Sequence, residues 1–310
     1  MKQDKPTLES TLKSTDTEEP IDIFFYRPIG YRWALLFQKL GITPNAVTVA
    51  SIFLGVGSGI CFYFDNIWAT LAGIFLLIWA NSYDSADGQL ARMTKQFSPL
   101  GRILDGVAGD LWFGAIYIAI CLRLMPEWGW WIWGFAIVAG ICHSKQASTA
   151  DYYRNIHLLF LKGKSGSELD NTEELTVQYK ALTWSKNFFQ KLVAFFYRSY
   201  TRGQENWTHD FQQMFSLIKE RYGETAPESF RMAFREKSLP LMKWTNILSF
   251  NTRALVLFVS MLINLPWIYF VFELTVLNII LIYMIWKHES ICREFTIQIK
   301  NNESFNKLYA

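Results

Sequence analysis

The chain has few cysteines, little charge and little net charge. Its four cysteines, Cys61, Cys121, Cys142 and Cys292, lie far apart in 310 residues, mostly inside apolar runs. No CxxC pair and no Cys/His ligand spacing is apparent. That argues against a disulfide framework and against zinc, and leaves four buried thiols. The four histidines likewise show no ligand spacing. Charged residues make up 18% of the chain, against about 25% in an ordinary soluble domain. The formal net charge of +3 is too small to point to nucleic acid. Residues 1–20 are polar and charged, so they do not read as a cleavable signal peptide. No internal repeat is visible.

Apolar and aromatic residues are abundant instead, at 51% and 17%, with 13 Trp and 25 Phe. They cluster in runs, which fits a bilayer better than a compact soluble core. Six apolar segments predict an all-α membrane protein with six transmembrane helices: Pro44–Phe64, Ile67–Leu90, Pro99–Leu122, Trp128–Ser148, Thr245–Asn264 and Pro266–Trp286. Each approaches the roughly 20 residues a span needs. Ahead of them, residues 22–40 mix Phe24, Phe25, Trp33 and Phe37 with Arg27, Arg32 and Lys39, a pattern suited to an interfacial helix. With six spans both termini share a side, and every Lys and Arg except Arg123 and Arg253 falls there. The positive-inside rule makes that side cytoplasmic, consistent with an inner (cytoplasmic) membrane.

The expected organisation is a disordered tail at 1–21, the interfacial helix and spans one to four over 22–154, a polar cytoplasmic insert at 155–241, and spans five and six with a C-terminal tail at 242–310. Within the insert, Phe188, Phe189, Leu192, Val193, Phe195 and Phe196 form one apolar stripe. Phe211, Met214, Phe215, Ile218 and Tyr222 form another. Both read as amphipathic helices resting on the membrane or on the cytoplasmic face.

Ionisable residues inside spans are expensive and mark functional candidates. Asp84 and Asp87 end the second span, three residues apart and so on one helix face. Asp105 and Asp110 sit in the third. Clustered carboxylates with no His or Cys among them suit a hard divalent cation, Mg²⁺ or Mn²⁺. Small residues surround them: Gly88, Ala91, Gly101 and Gly106 permit close approach of helices or ligand. Arg253 also lies within a span, where a guanidinium needs an anionic partner, which Asp110 or a lipid headgroup would supply.

The segment reads Asp84-x2-Asp87-Gly88-x2-Ala91-Arg92-x8-Gly101-x3-Asp105. It resembles the signature of CDP-alcohol phosphotransferases, DxxDGxxAR-x8-GxxxDxxxD, at every fixed position but the last. Thr43 to Thr48 also looks like the family's usual opening of the first span. The resemblance runs from about Asp22 to Glu294 and leaves out the polar insert. It implies transfer of a phosphatidyl or phospho-alcohol group from a CDP-alcohol to an acceptor hydroxyl such as inositol, inositol phosphate or glycerol phosphate, with release of CMP. It further implies metal held by Asp84, Asp87 and Asp105, with Gly88, Ala91 and Thr48 bordering the CDP moiety and Arg92 and Arg102 meeting diphosphate. Lys145, Arg154 and Arg253 would bind a phosphorylated acceptor, and the chain would dimerise through its spans.

The last signature position holds Gly109, with Asp110 next to it. In a regular α-helix an i+5 residue lies about 140° from Asp105, against about 40° for i+4. A π-bulge eased by Gly109 would bring Asp110 inward as metal ligand and general base. That is the expected arrangement, with Asp105 the other catalytic candidate. Two rivals remain open. An aspartate-rich membrane prenyltransferase also pairs carboxylates with metal, but leaves the Gly88, Ala91-Arg92 and Gly101 spacing unexplained. A non-catalytic pseudoenzyme of the same fold is the reading motivated by Gly109.

Overall fold

The computed structural model describes residues 8, 14–163, 166–167, 169–223 and 226–301, without the side chains of residues 99, 100, 102 and 103. All regular structure among them is helical. A π-helical turn at Asp22–Tyr26 leads into α1 (Arg27–Leu40). There follow α2 (Pro44–Tyr63), α3 (Ile67–Thr94), α4 (Pro99–Trp128), α5 (Trp131–Lys162), α6 (Thr172–Ala181), α7 (Phe188–Glu205), α8 (His209–Tyr222), α9 (Glu228–Ile247), α10 (Phe250–Leu262), α11 (Trp267–Leu274) and α12 (Val276–Lys300).

The helices begin where side chains satisfy their first amides. Thr43 caps α2 by accepting from the Ala46 N–H at 3.4 Å, and Pro44 needs no partner there. Asn66 accepts from the Trp68 N–H at 2.8 Å to open α3. Ser98 accepts from the Gly101 N–H at 2.9 Å to open α4, again with a proline next. Gly41, at φ 68°, ends α1 in the left-handed region.

Four stretches among the described residues are long and apolar enough to cross a membrane: Pro44–Tyr63, Leu104–Trp128, Glu228–Leu262 and Trp267–Lys300. The expected second and fourth spans are present as α3 and α5 but fall outside this set. Their first halves are apolar, whereas their second halves carry Asn81, Ser82, Asp84 and Asp87, and His143, Lys145 and Gln146. The interfacial segment is helical, as α1, and it packs through Ala34 and Phe37 on Ala86 and Leu90 of α3.

The chain divides into two compact units. Unit 1 holds the described residues up to Ser144 together with Phe250–Val276. Its core gathers Phe62, Leu77, Trp112, Phe113, Ile116, Leu257 and Tyr269. Helices α2 and α4 approach closely because α2 presents glycine: a Cβ on Gly55 would stand 2.1 Å from the Trp112 ring, and one on Gly59 would stand 2.8 Å from the Ala115 backbone. The outward faces carry Phe53, Ile60, Phe75, Ile118 and Ile137, all exposed, which suits lipid rather than water.

Unit 2 holds Lys145–Ser249 and the chain from Leu277 onward. The insert is therefore not a body of its own. The second half of α5 and most of α12 belong with it, because they supply the apolar surface that α8 and α9 bury. Phe230 packs on Phe295 with ring centroids 5.1 Å apart, and Phe234 on Phe160 at 4.2 Å. The α8 stripe is buried at Phe211, Met214 and Ile218, whereas Phe188, Phe189, Phe195 and Phe196 of α7 stay exposed. Of the expected disordered tail, residues 1–7 and 9–13 lie outside the described residues. Nearer α1 the tail is tied down: Glu18 pairs with Arg27 at 2.9 Å, and Asn251 donates to Glu19 at 2.9 Å and to Asp22 at 3.0 Å.

The α2–α4 contact generates a paired prediction. Gly55→Ala should lower thermal stability in detergent, by about 1–3 kcal/mol for overpacking. Gly57→Ala, whose Cβ would meet only Leu76 at 3.6 Å, should be neutral or stabilising. Equal melting shifts for the two variants would contradict this packing.

Candidate active site

The second half of α3 and the first turns of α4 bring three carboxylates together. One oxygen from each of Asp84, Asp87 and Asp105 lies within 4.8 Å of the other two. Asp87 is 4% exposed and accepts a 2.5 Å hydrogen bond from the Thr48 hydroxyl of α2. That hydroxyl also reaches the Pro44 carbonyl at 3.1 Å. Asp84 is half-buried and Asp105 exposed. The cluster is thus anchored at one end and open at the other.

The start of α4 is fastened to α2 beside this cluster. Asn45 donates to Ser98 at 3.2 Å. A Cβ on Gly101 would come within 2.6 Å of the Asn45 side-chain oxygen, so a larger residue would displace the Asn45 side chain. The guanidinium of Arg92 folds back along α3, 3.5 Å from where a Cβ on Gly88 would sit. Nothing lies within 4 Å of the Cβ positions of Gly106 and Gly109, so the face of α4 next to Asp105 has room. The side chain of Arg102 lies outside the described residues.

The donor set tests whether a metal fits. Three carboxylates so close repel one another, and no nitrogen or sulfur donor stands among them. A hard divalent cation is what such a group accommodates.

Asp110 is not part of this group. Helix α4 runs through Gly109 and Asp110 as regular α-helix, so the expected bulge does not form. Without it the i+5 offset directs Asp110 away from Asp105. Asp110 lies instead within electrostatic reach of His143 and Arg253.

Arg253 is likewise placed differently from expectation. It is 1% exposed, and its anionic partner is Glu273, whose two oxygens lie 2.5 and 2.6 Å from the guanidinium. His143 Nδ1 is 2.9 Å from the same nitrogen, and Tyr269 donates to Glu273 at 2.7 Å. Tyr117 stands 3.2 Å from His143. With its charge matched inside unit 1, Arg253 loses the reason for assigning it an acceptor phosphate. The signal missed in the sequence was Glu273, an ionisable residue inside an apolar run. In unit 2, Lys145 is exposed, and Arg154 donates to Ser249 at 2.7 Å and lies 3.3 Å from Asn246.

Arg253→Ala should therefore act on stability, at about 3–5 kcal/mol, because it strands a buried carboxylate. Pairing Arg253→Met with Glu273→Leu should recover most of that loss. Thermal unfolding in detergent checks both. A stable, well-folded Arg253→Ala protein altered only in substrate affinity would overturn the structural assignment.

Comparison with known proteins agrees with this geometry. Residues 41–152, which hold the aspartate cluster and Thr48, match the family model described as CDP-alcohol phosphatidyltransferase. The chain is 31% identical over 159 residues to a bifunctional IPC transferase and DIPP synthase of Aquifex aeolicus, covering 49% of this chain and 35% of that one. It is 36% identical over 90 residues to an archaetidylinositol phosphate synthase of Pyrococcus horikoshii, covering 29% and 46%. It is 32% identical over 91 residues to a CDP-diacylglycerol–glycerol-3-phosphate 3-phosphatidyltransferase of Pectobacterium atrosepticum, covering 29% and 47%. The matched segments thus span less than half of each relative. The likeness to CDP-alcohol phosphatidyltransferases therefore rests on residues 41–152 of this chain.

Proposed function

We propose that this protein is a metal-dependent transferase of phospholipid synthesis. It moves a phosphatidyl, or related phospho-alcohol, group from a CDP-alcohol such as CDP-diacylglycerol to an acceptor hydroxyl, with release of CMP. The observation that carries this reading is the convergence of Asp84, Asp87 and Asp105 within 4.8 Å of one another inside the matched domain.

In the reaction the acceptor oxygen attacks the phosphorus that bears the alcohol, and the bond from that phosphorus to the CMP oxygen breaks. The acceptor hydroxyl loses its proton. Asp84, Asp87 and Asp105 would hold Mg²⁺ or Mn²⁺, which would supply positive charge to offset that of the diphosphate. Asp87 is the fixed member of the set, because Thr48 holds one of its oxygens. Asp105 is the exposed member and the base best placed to take the acceptor's proton. Gly88 and Ala91 leave room for the CDP moiety, and Arg92 and Arg102 supply positive charge for its diphosphate.

The relatives named above for inositol phosphate and glycerol 3-phosphate products or substrates favour a phosphorylated polyol as acceptor. Lys145 and Arg154 are then the cations for its phosphate. The side rich in Lys and Arg supports a reaction at the cytoplasmic face of the membrane.

The test is turnover by the purified chain, with CDP-diacylglycerol and a panel of inositol, inositol phosphate, glycerol 3-phosphate and serine, reading CMP release. Activity should need Mg²⁺ or Mn²⁺ and vanish in excess chelator. Asp84→Asn, Asp87→Asn and Asp105→Asn should each lose several orders of magnitude in rate while staying folded, whereas Asp110→Asn should keep most of it. Pyrophosphate release, or full rates in chelator, would reject the reading. Lys145→Ala and Arg154→Ala should raise KM for the acceptor about ten- to hundredfold, the cost of a lost charge-assisted contact, and spare KM for the CDP-alcohol.

A further inference from the structure

A second set of converging donor atoms lies in unit 2, on α12. His288, Glu289 and Cys292 each present one ligand atom, and all three lie within 4.8 Å of one another. The spacing is neither a CxxC pair nor a pair of separated motifs, so it does not stand out in the sequence. On a helix, however, residues i and i+4 share a face, as do i and i+3. His288 and Cys292 stand in the first relation, and Glu289 and Cys292 in the second.

The distances are informative. His288 Nδ1 is 3.4 Å from a Glu289 oxygen and 3.6 Å from Cys292 Sγ. A charge-assisted hydrogen bond to a carboxylate closes to about 2.7–2.9 Å, so the imidazole and the carboxylate stand too far apart for one. Tetrahedral zinc, with its nitrogen and oxygen ligands at about 2.0–2.1 Å and sulfur at about 2.3 Å, sets N and O about 3.4 Å apart and N and S about 3.6 Å apart. The nitrogen–oxygen and nitrogen–sulfur spacings match two edges of such a tetrahedron, and the oxygen and sulfur lie within 4.8 Å of each other.

The surroundings support a built site. His288, Glu289 and Cys292 are 1%, 8% and 0% exposed. The second oxygen of Glu289 accepts from the Asp210 backbone N–H at 2.6 Å, which orients the carboxylate from the start of α8. Tyr153 stacks on the imidazole, with centroids 3.9 Å apart and planes 10° apart. The far nitrogen of His288 and the Tyr153 hydroxyl are buried without a hydrogen-bond partner among the described residues. Charge balances as well: one thiolate and one carboxylate cancel a divalent ion, so the loaded site is neutral where it is buried.

We propose that His288 Nδ1, a carboxylate oxygen of Glu289 and Cys292 Sγ form three corners of a zinc site that fastens α12 to α8, with a solvent oxygen at the fourth. On binding, the Cys292 thiol gives up its proton to solvent and its sulfur bonds the metal. The mixed N, O and S donors select a borderline ion such as zinc, unlike the all-oxygen aspartate cluster of unit 1.

Elemental analysis of the full-length chain, purified from zinc-supplemented cells and dialysed against buffered zinc, tests this. The parent and the Asp84→Asn/Asp87→Asn/Asp105→Asn variant should both hold about one zinc per chain, and Cys292→Ser or His288→Gln should lose it. A zinc-free parent overturns the proposal, and so does zinc that survives both α12 variants or disappears with the aspartates. Should the α12 variants fail to fold, cobalt loaded into the parent chain decides. A thiolate-to-cobalt charge-transfer band, competed away by zinc, is expected, and its absence overturns the site.

Discussion

The close approach of α2, α3 and α4 is the constraint on which unit 1 depends. Two like charges about 4 Å apart repel by about 4 kcal/mol at an effective dielectric constant of 20, and unit 1 holds three carboxylates within 4.8 Å of one another. They stay together because their helices cannot move apart cheaply. Gly55 and Gly59 allow α2 to sit directly on Trp112 and Ala115 of α4, and Gly101 brings the start of α4 against Asn45. Thr48 then places its hydroxyl on Asp87. Apolar contact between the helices and the hydrogen bond from Thr48 together hold the carboxylates in place.

The same expense of polar groups within apolar helices shapes the rest of unit 1. Arg253 is matched by Glu273, His143 and Tyr269. Arg123 is matched by Asp65 and Asn264, and by the Phe62 carbonyl at 3.2 Å. What separates these groups from the aspartate cluster is sign and access. Each of these cations meets an anion or neutral acceptors, with Arg253 fully buried and Arg123 paired to the exposed Asp65. The aspartate cluster gathers charges of one sign and keeps Asp105 exposed. An ion pair of the first kind holds helices in place, whereas a group of the second kind has the oxygen donors that suit a hard divalent cation.

In unit 2 aromatic packing takes over the organising role. The faces of α8 and α9 are too apolar to stand in water, and they close on the second half of α5 and on α12 through Phe160, Phe211, Phe230, Phe234 and Phe295. That explains why residues 155–241, polar overall, do not fold as an appendage. Their buried stripes need helices that begin or end elsewhere in the chain.

Much of this protein is legible in its sequence. The apolar runs mark most of the long helices, because burial in a bilayer demands length and hydrophobicity that composition records directly. The spacing of Asp84, Asp87 and Asp105 with Gly88, Ala91, Arg92 and Gly101 marks the cluster, because helical periodicity and small residues are local properties. Three matters were decided only by tertiary structure. Whether α4 bulges at Gly109 depends on the packing of a whole helix, and it stays α-helical there. The partner of Arg253 depends on which helix lies opposite, and Glu273 is 20 residues away in sequence. The meeting of Glu289 with the Asp210 amide joins groups 79 residues apart. Periodicity assigns a residue to a face of its own helix, but what that face meets is set by how distant helices pack.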